Sequence, residues 1–207
     1  MKGKFITFEG CEGSGKSTQL TLLKNYFDKN GNDYIFTREP GGTPISEKIR
    51  NIILDNGNKE MCAECEALLY ASSRVQLLKE IVIPALTAGK IVLCDRYIDS
   101  SLSYQAYARG LGYDFVAKIN DFAFKNCMPD ITVFFDIDPC DAFLRKGGAD
   151  KNDRLEQSGI EFHKKVYEGY KELAKKFPER IVSIGAAKGK EEIHREVLNI
   201  LRDKGII

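Results

Sequence analysis

Residues 10–17 read Gly-Cys-Glu-Gly-Ser-Gly-Lys-Ser, a G-x-x-x-x-G-K-S run between an apolar segment, Phe5 to Phe8, and a segment of helical periodicity. Such a run wraps backbone around a phosphate. Glycine lets the chain turn its N–H groups inward, the helix beginning near Lys16 adds its positive end, and the lysine ammonium reaches the outer phosphates. Ser17 supplies a hydroxyl for Mg²⁺. The triphosphate-binding set predicted here is Gly10, Cys11, Glu12, Gly13, Ser14, Gly15, Lys16, Ser17 and Thr18. A second motif, Ile91-Val-Leu-Cys-Asp95-Arg96-Tyr97, is an apolar strand ending in an acid followed by arginine. At the carboxyl end of a parallel strand, Asp95 faces the same crevice as the phosphate loop and is placed to hold Mg²⁺ through water, while Arg96 grips a second phosphate. That is a geometry for two phosphate-bearing substrates.

A phosphate loop alone does not separate a kinase from a GTPase, a motor or an ATP-dependent binding module. The guanine-reading order N-K-x-D has no counterpart, since the nearest string is Lys151-Asn152-Asp153. Guanine-dependent switching is therefore disfavoured.

These residues need a scaffold that brings strand ends together. Short β-branched and aromatic runs recur at Phe5 to Phe8, Tyr34 to Thr37, Ile91 to Cys94, Ile131 to Ile137 and Ile181 to Ile184, separated by longer stretches of helical spacing. Leu20, Leu23 and Phe27 share one helix face, as do Phe162, Val166, Tyr170, Leu173 and Phe177. Near-continuous apolar strands suit a sheet covered on both sides. The predicted fold is α/β, three layers with a five-stranded parallel sheet, in one domain spanning 1–207. Arg145-Lys-Gly-Gly-Ala-Asp-Lys-Asn-Asp-Arg154 lacks apolar residues except one alanine and reads as a mobile loop.

Composition bounds the partners. Lys plus Arg is 31 and Asp plus Glu is 30, a formal charge of +1, which argues against a general nucleic-acid coat or an anionic membrane surface. The longest apolar stretches fall far short of the roughly 20 residues of a membrane-spanning helix. The first nine residues hold too short an apolar run for a signal-peptide core, so a cytoplasmic location and free thiols at all six cysteines are expected. Cys62 and Cys65 have the spacing of half a zinc site, but no second cysteine pair follows.

Four strings taken together carry a resemblance: Phe8-Glu-Gly-Cys-Glu-Gly-Ser-Gly-Lys-Ser17, Thr37-Arg-Glu-Pro-Gly-Gly-Thr43, Asp95-Arg-Tyr-Ile-Asp-Ser-Ser101 with Tyr104-Gln105, and Asp153-Arg-Leu-Glu156. They occur in the order seen in bacterial thymidylate kinases, and the chain resembles that family over nearly its whole length. The resemblance implies a nucleoside-monophosphate-kinase fold, transfer of the γ-phosphoryl of ATP to thymidine 5′-monophosphate (dTMP) with Mg²⁺, and a homodimer. It also implies roles. Lys16 and Arg96 act in phosphoryl transfer, Arg96 bridging donor and acceptor phosphates, and Arg50 clamps the acceptor phosphate. Glu12 faces the acceptor's 3′-hydroxyl, and Glu39 lies at the same site. Tyr70 stacks on thymine while Arg74, one helical turn on, donates to a base carbonyl. Tyr104 is a steric gate against a ribose 2′-hydroxyl, with Ser100, Ser101 and Gln105 lining the pocket. Residues 145–154 match a lid supplying cations from Arg145, Lys146, Lys151 or Arg154, with Arg145 and Arg154 the expected catalytic pair. Two other readings stay open at this point: a kinase for another nucleoside monophosphate or a deoxynucleoside, and a regulatory protein that binds ATP without turning over a small molecule.

Overall fold

The computed structural model describes residues 3–207; Met1 and Lys2, which open the N-terminal run read for a leader, lie outside the described residues. Strand β1 (Lys4–Glu9) leads through the phosphate loop into α1 (Lys16–Asn30), then β2 (Tyr34–Arg38) and α2 (Pro44–Leu54). Helix α3 (Ala63–Leu77) runs on through a π-helical turn at Leu78–Val82 into α4 (Ile83–Thr87). After β3 (Ile91–Asp95) come the short α5 (Ile98–Ser101) and a π-helical segment, Leu102–Ala108. Helices α6 (Tyr113–Ile119) and α7 (Asp121–Asn126) precede β4 (Ile131–Asp136). The chain finishes with α8 (Pro139–Lys146), α9 (Ile160–Lys176), β5 (Ile181–Gly185) and α10 (Lys190–Asp203).

The five strands form one sheet in the order β2-β3-β1-β4-β5, and all four pairings are parallel. Each expected strand is present with its ends shifted by no more than one residue. Period-2 alternation divides the core. Ile6, Phe8, Leu93, Val133 and Phe135 point to one side, where Leu20, Leu23 and Phe27 of α1 and Val197 and Leu201 of α10 cover them. Phe5, Val92 and Cys94 point to the other, against Leu77, Leu78 and Val82. Phe134 joins Val166, Tyr170 and Leu173 of α9 on that same side. Both faces are dry, which is why the strands read as unbroken apolar runs.

Strand β1 is central, with β3 on one side and β4 on the other, so the chain reverses its winding direction beside it. In a sheet of this kind the crevice at the carboxyl ends next to the reversal is the ligand site, and both the phosphate loop and Asp95-Arg96 lie there.

One boundary differs from expectation. Arg145 and Lys146 belong to the last turn of α8, not to the loop, and Gly147, in the left-handed region at φ 85°, ends the helix by donating its N–H to the Phe143 and Leu144 carbonyls. Basic residues in a last turn complement the helix dipole, so the first two residues of the expected loop close α8 instead.

Candidate active site

The phosphate loop is shaped by close backbone approaches. A Cβ at Gly13 would meet the Ala142 carbonyl oxygen at 2.1 Å, so the loop packs directly on α8. Gly15 sits at φ 96° as the residue before α1 and has open space where a Cβ would be. No side chain caps the α1 N-terminus, which leaves its first N–H groups for an anion. The Lys16 ammonium is buried and donates to the Gly10 and Cys11 carbonyls, each at 3.0 Å. Burial, with Arg96 adding to it, pulls its pKa down.

Two cavities meet at this loop. The wider, about 1160 Å³, is lined by residues 12–19 with Asp95, Arg96, Arg145 and Lys146. The second, about 560 Å³, is walled by Glu39, Arg50, Tyr70, Arg74, Ser100, Tyr104 and Gln105, and also reaches Asp153, Leu155 and His163. Glu12 and Arg96 border both cavities and form an ion pair with each other. Burial works against the Glu12 charge, yet Arg96 and then Lys16 hold its carboxyl well below the usual range. An acid inside a phosphate loop thus has its charge answered by the arginine on the opposite wall.

Arg96 is, among the described residues, the single non-glycine at positive φ, 68°. A bulky residue there is strained, and such strain concentrates at functional sites. Its backbone N–H donates to the Phe8 carbonyl at 3.0 Å, and its guanidinium donates to Tyr170 Oη at 3.2 Å and Ser100 Oγ at 3.4 Å. Beneath it lies Glu9, fully buried, accepting from the Tyr97 N–H (2.7 Å), Ser100 Oγ (2.6 Å) and Tyr170 Oη (2.8 Å). Burial, reinforced by Asp99, pushes the Glu9 carboxyl up to about 7.

Arg74 is buried with Glu39 in an ion pair of 2.6 Å. Its Nε donates to Glu39 at 2.8 Å, Nη2 to the Tyr97 carbonyl at 3.1 Å, and Nη1 to Asn120 Oδ1. Since Nη1 carries two hydrogens, one N–H remains for a ligand. Glu39 Oε1 is buried without a partner, and burial pushes its carboxyl up to about 7 against the pull of Arg74. Arg50 donates to the Pro40 carbonyl at 2.9 Å from the cavity wall.

The expected set therefore assembles, with five residues departing from it. Gly10 and Cys11 stand behind the donor cavity; their carbonyls hold Lys16, and the Cys11 thiol turns to the Ile137 carbonyl at 3.6 Å. Ser101 borders neither cavity, its hydroxyl buried in the body of the protein. Arg154 borders neither cavity as well: it is buried in an ion pair of 2.6 Å with Glu66, a fixed anchor in place of the expected mobile cation. Lys151 is exposed, with its carbonyl accepting from Asn56 Nδ2 at 2.6 Å, and also lies outside both linings. Of the four basic residues assigned to the lid, Arg145 and Lys146 face the donor cavity. Arg145 donates to the Ala186 and Ala187 carbonyls at 2.6 and 3.0 Å, and Lys146 pairs with Glu156.

Sequence reasoning missed Glu9, Tyr170 and His163. Glu9 ends a strand as Asp95 does, and the same argument finds it. Tyr170 was assigned to an apolar face, which is correct for its ring, but a buried tyrosine hydroxyl needs a partner and here it has Glu9 and Ser100. His163 carries no comparable signal; it is 1% exposed, with Phe143 and Phe162 against its ring.

The residues present suit a hard cation. Asp95 Oδ1 is buried with no hydrogen-bond partner, and Asp95 and Ser17 border the same cavity; oxygen donors of this kind match Mg²⁺, which keeps waters and substrate phosphates among its ligands. Among the described residues no group of three or more His, Cys, Asp and Glu stands ready to hold a metal, Cys62 and Cys65 included.

A parallel sheet with a phosphate loop, a strand-end Asp-Arg pair and a second cavity across that pair defines a phosphate-loop phosphotransferase of nucleoside-monophosphate-kinase fold. The chain belongs to the thymidylate kinase family, whose model matches residues 8–197. It is 49% identical over 203 residues to the thymidylate kinase of Clostridium novyi (strain NT), covering 97% of this chain and 99% of that one. It is 50% identical over 204 residues to that of Oceanobacillus iheyensis, covering 97% and 90%. The crystal structure of thymidylate kinase from Ehrlichia chaffeensis superimposes with a TM-score of 0.79 at 33% identity, covering 98% of this chain and 99% of that chain.

Proposed function

We propose that this chain transfers the γ-phosphoryl group of ATP to dTMP, forming dTDP and ADP. The observation that carries the reading is the Glu12–Arg96 pair shared by the two cavities. A guanidinium that borders both substrates can neutralise charge on the donor's terminal phosphate and on the incoming phosphate together, where in-line transfer develops it.

The loop amides and Lys16 hold the donor's β and γ phosphates. Arg145 and Lys146 add positive charge at the edge of that cavity. Ser17 and Asp95 would hold Mg²⁺, which when bound shields the donor phosphates and orients them. On the acceptor side Arg50 clamps the phosphate, Tyr70 presents its ring to thymine, and the free Nη1 N–H of Arg74 donates to a base carbonyl. An acceptor-phosphate oxygen attacks the γ phosphorus while the bond to the β,γ-bridging oxygen breaks, and the electron pair leaves with ADP. Tyr104 closes the space beside C2′ and so selects deoxyribose. The working protein is a homodimer in the cytoplasm, with its mass checked by light scattering.

The test is an acceptor panel with γ-labelled ATP and Mg²⁺. Label moves to dTMP at least tenfold faster, by kcat/KM, than to uridine, cytidine or adenosine monophosphate. Equal rates across the panel would overturn the acceptor assignment, and label released only to water would overturn the kinase.

A further inference from the structure

Helix α3 carries Glu66, Tyr70 and Arg74 at successive four-residue steps, so the three share a face. Arg74 is held at one end by Glu39, as described. Glu66, at the other end, is buried to 1% exposure and takes charged or amide donors from three directions. Arg154 reaches it at 2.6 Å, Arg109 at 3.1 and 3.3 Å, and Gln105 at 3.0 Å. Arg154 does more than meet the carboxylate. Its Nε donates to the Ile53 carbonyl at 2.9 Å and its backbone N–H to the Leu54 carbonyl at 3.0 Å, at the end of the helix that carries Arg50. Its sequence neighbours Asp153 and Leu155 border the acceptor cavity directly.

One carboxylate therefore ties together the start of α3, the π-helical segment bearing Tyr104 and Gln105, and the segment that follows α8; through Arg154 it also reaches the end of α2. Every one of these elements walls the acceptor cavity, yet neither Glu66 nor Arg154 borders it. We propose that Glu66 is a positioning residue for the acceptor: its ion pair with Arg154 seats the segment after α8 and fixes the spacing between Tyr70 and Tyr104, making dTMP affinity depend on two residues that never touch dTMP. Arg154 thus serves acceptor binding, and the chemical step draws its positive charge from elsewhere. The proposal rests on the cavity being the dTMP site.

The test uses the full chain and calorimetric titration of dTMP alone, with Mg²⁺ and a non-hydrolysable ATP analogue titrated separately. Arg154→Met leaves Glu66 paired with Arg109 and Gln105, so the fold survives. It weakens dTMP binding tenfold or more, raises the KM for dTMP by a similar factor, and leaves analogue affinity within twofold and saturated kcat within threefold. Arg154→Lys, which restores the charge without the planar fork, recovers part of the loss. Glu66→Gln combined with Arg154→Met is no weaker than the poorer single variant, because partners in one interaction are not additive. A large fall in kcat at unchanged dTMP affinity would overturn the proposal and return Arg154 to the chemical step, and fully additive losses would overturn the pairing. If Arg154→Met binds dTMP as the parent does, this inference alone fails; if the parent itself does not bind dTMP, the acceptor reading fails and takes the inference with it.

Discussion

At the centre of this site Arg96 is answered by Glu12 and Arg74 by Glu39, while Lys16 is answered by carbonyls, and these partners decide what each can do. Lys16 is buried among loop carbonyls with its pKa pulled down, so it is a compact cation at the place where the triphosphate sits. Lys16→Ala is expected to lower kcat about 100-fold or more, the scale of losing one preorganised donor to a transition-state oxyanion, while circular dichroism stays native; near-parental turnover would remove the lysine from the mechanism. Glu9 gives a prediction of a different kind. Its carboxyl, ordinarily near 4.5, is pushed up to about 7 in the folded chain, so between those values the folded state holds a proton that the unfolded state has released. Stability therefore declines as pH rises through that window, and the full cost is present above it. Glu9→Gln removes the ionisation and keeps an acceptor for the Tyr97 and Ser100 donors. The melting temperature of the variant minus that of the parent is expected to be more positive at pH 8 than at pH 5, and an equal difference at both would refute the assignment. Lys16 was legible from the sequence because its role follows from a contiguous run. Glu9 was not, because its significance depends on Tyr170 lying 161 residues away.

At the scale of elements, the sequence is readable where local pattern and tertiary placement agree. Five apolar runs became five strands because both faces of the sheet are covered. The loop after α8 was legible but the fixing of Arg154 within it was not, because Gly and charge density describe only local preference. The partner that fixes Arg154, Glu66, lies 88 residues earlier. The π-helical stretch at Leu102–Ala108 was likewise invisible, since nothing in Leu-Ser-Tyr-Gln-Ala-Tyr-Ala distinguishes it from an α-helix. Wide helical turns of this type recur at functional sites, and this one carries both Tyr104 and Gln105 to the acceptor cavity. Tyr104 is 7% exposed, its ring edge-on to Phe162 and Tyr170 with the Arg96 guanidinium 5.4 Å from its centre, so it is held from three sides and cannot swing away from an added hydroxyl. Tyr104→Ala is expected to narrow the kcat/KM preference for dTMP over its ribose counterpart by about tenfold, the scale of one well-packed steric contact, and Tyr104→Phe to preserve it. An unchanged ratio in the alanine variant would exclude the gate.

For the whole molecule the balance of 31 basic and 30 acidic residues takes on a specific meaning. Within that near-zero total, many of the cations are held in ion pairs inside the chain, as with Arg74, Arg109, Arg154 and Arg180. Lys16, Arg50, Arg96, Arg145 and Lys146 concentrate positive charge at one crevice, where low-dielectric walls focus the field on a small polyanion. Two consequences separate such a molecule from a nucleic-acid binder. First, each substrate stabilises the folded state by mass action: dTMP at about 100 times its dissociation constant adds about 2.7 kcal/mol, which for a chain of this size raises the melting temperature by about 5–10 °C. Second, a focused site contacts few phosphates, so the dTMP dissociation constant is expected to rise less than about tenfold between 50 and 200 mM salt, against the roughly 10³–10⁵-fold loss of a protein that neutralises six to ten phosphates along a duplex. Thermal shift with dTMP, repeated at the two salt concentrations and beside an equal phosphate concentration of duplex DNA, measures both. A shift with dTMP that survives salt, and none with DNA, is the expected result; a larger shift with DNA would mean that the cations form an extended face and that the near-zero total hides it.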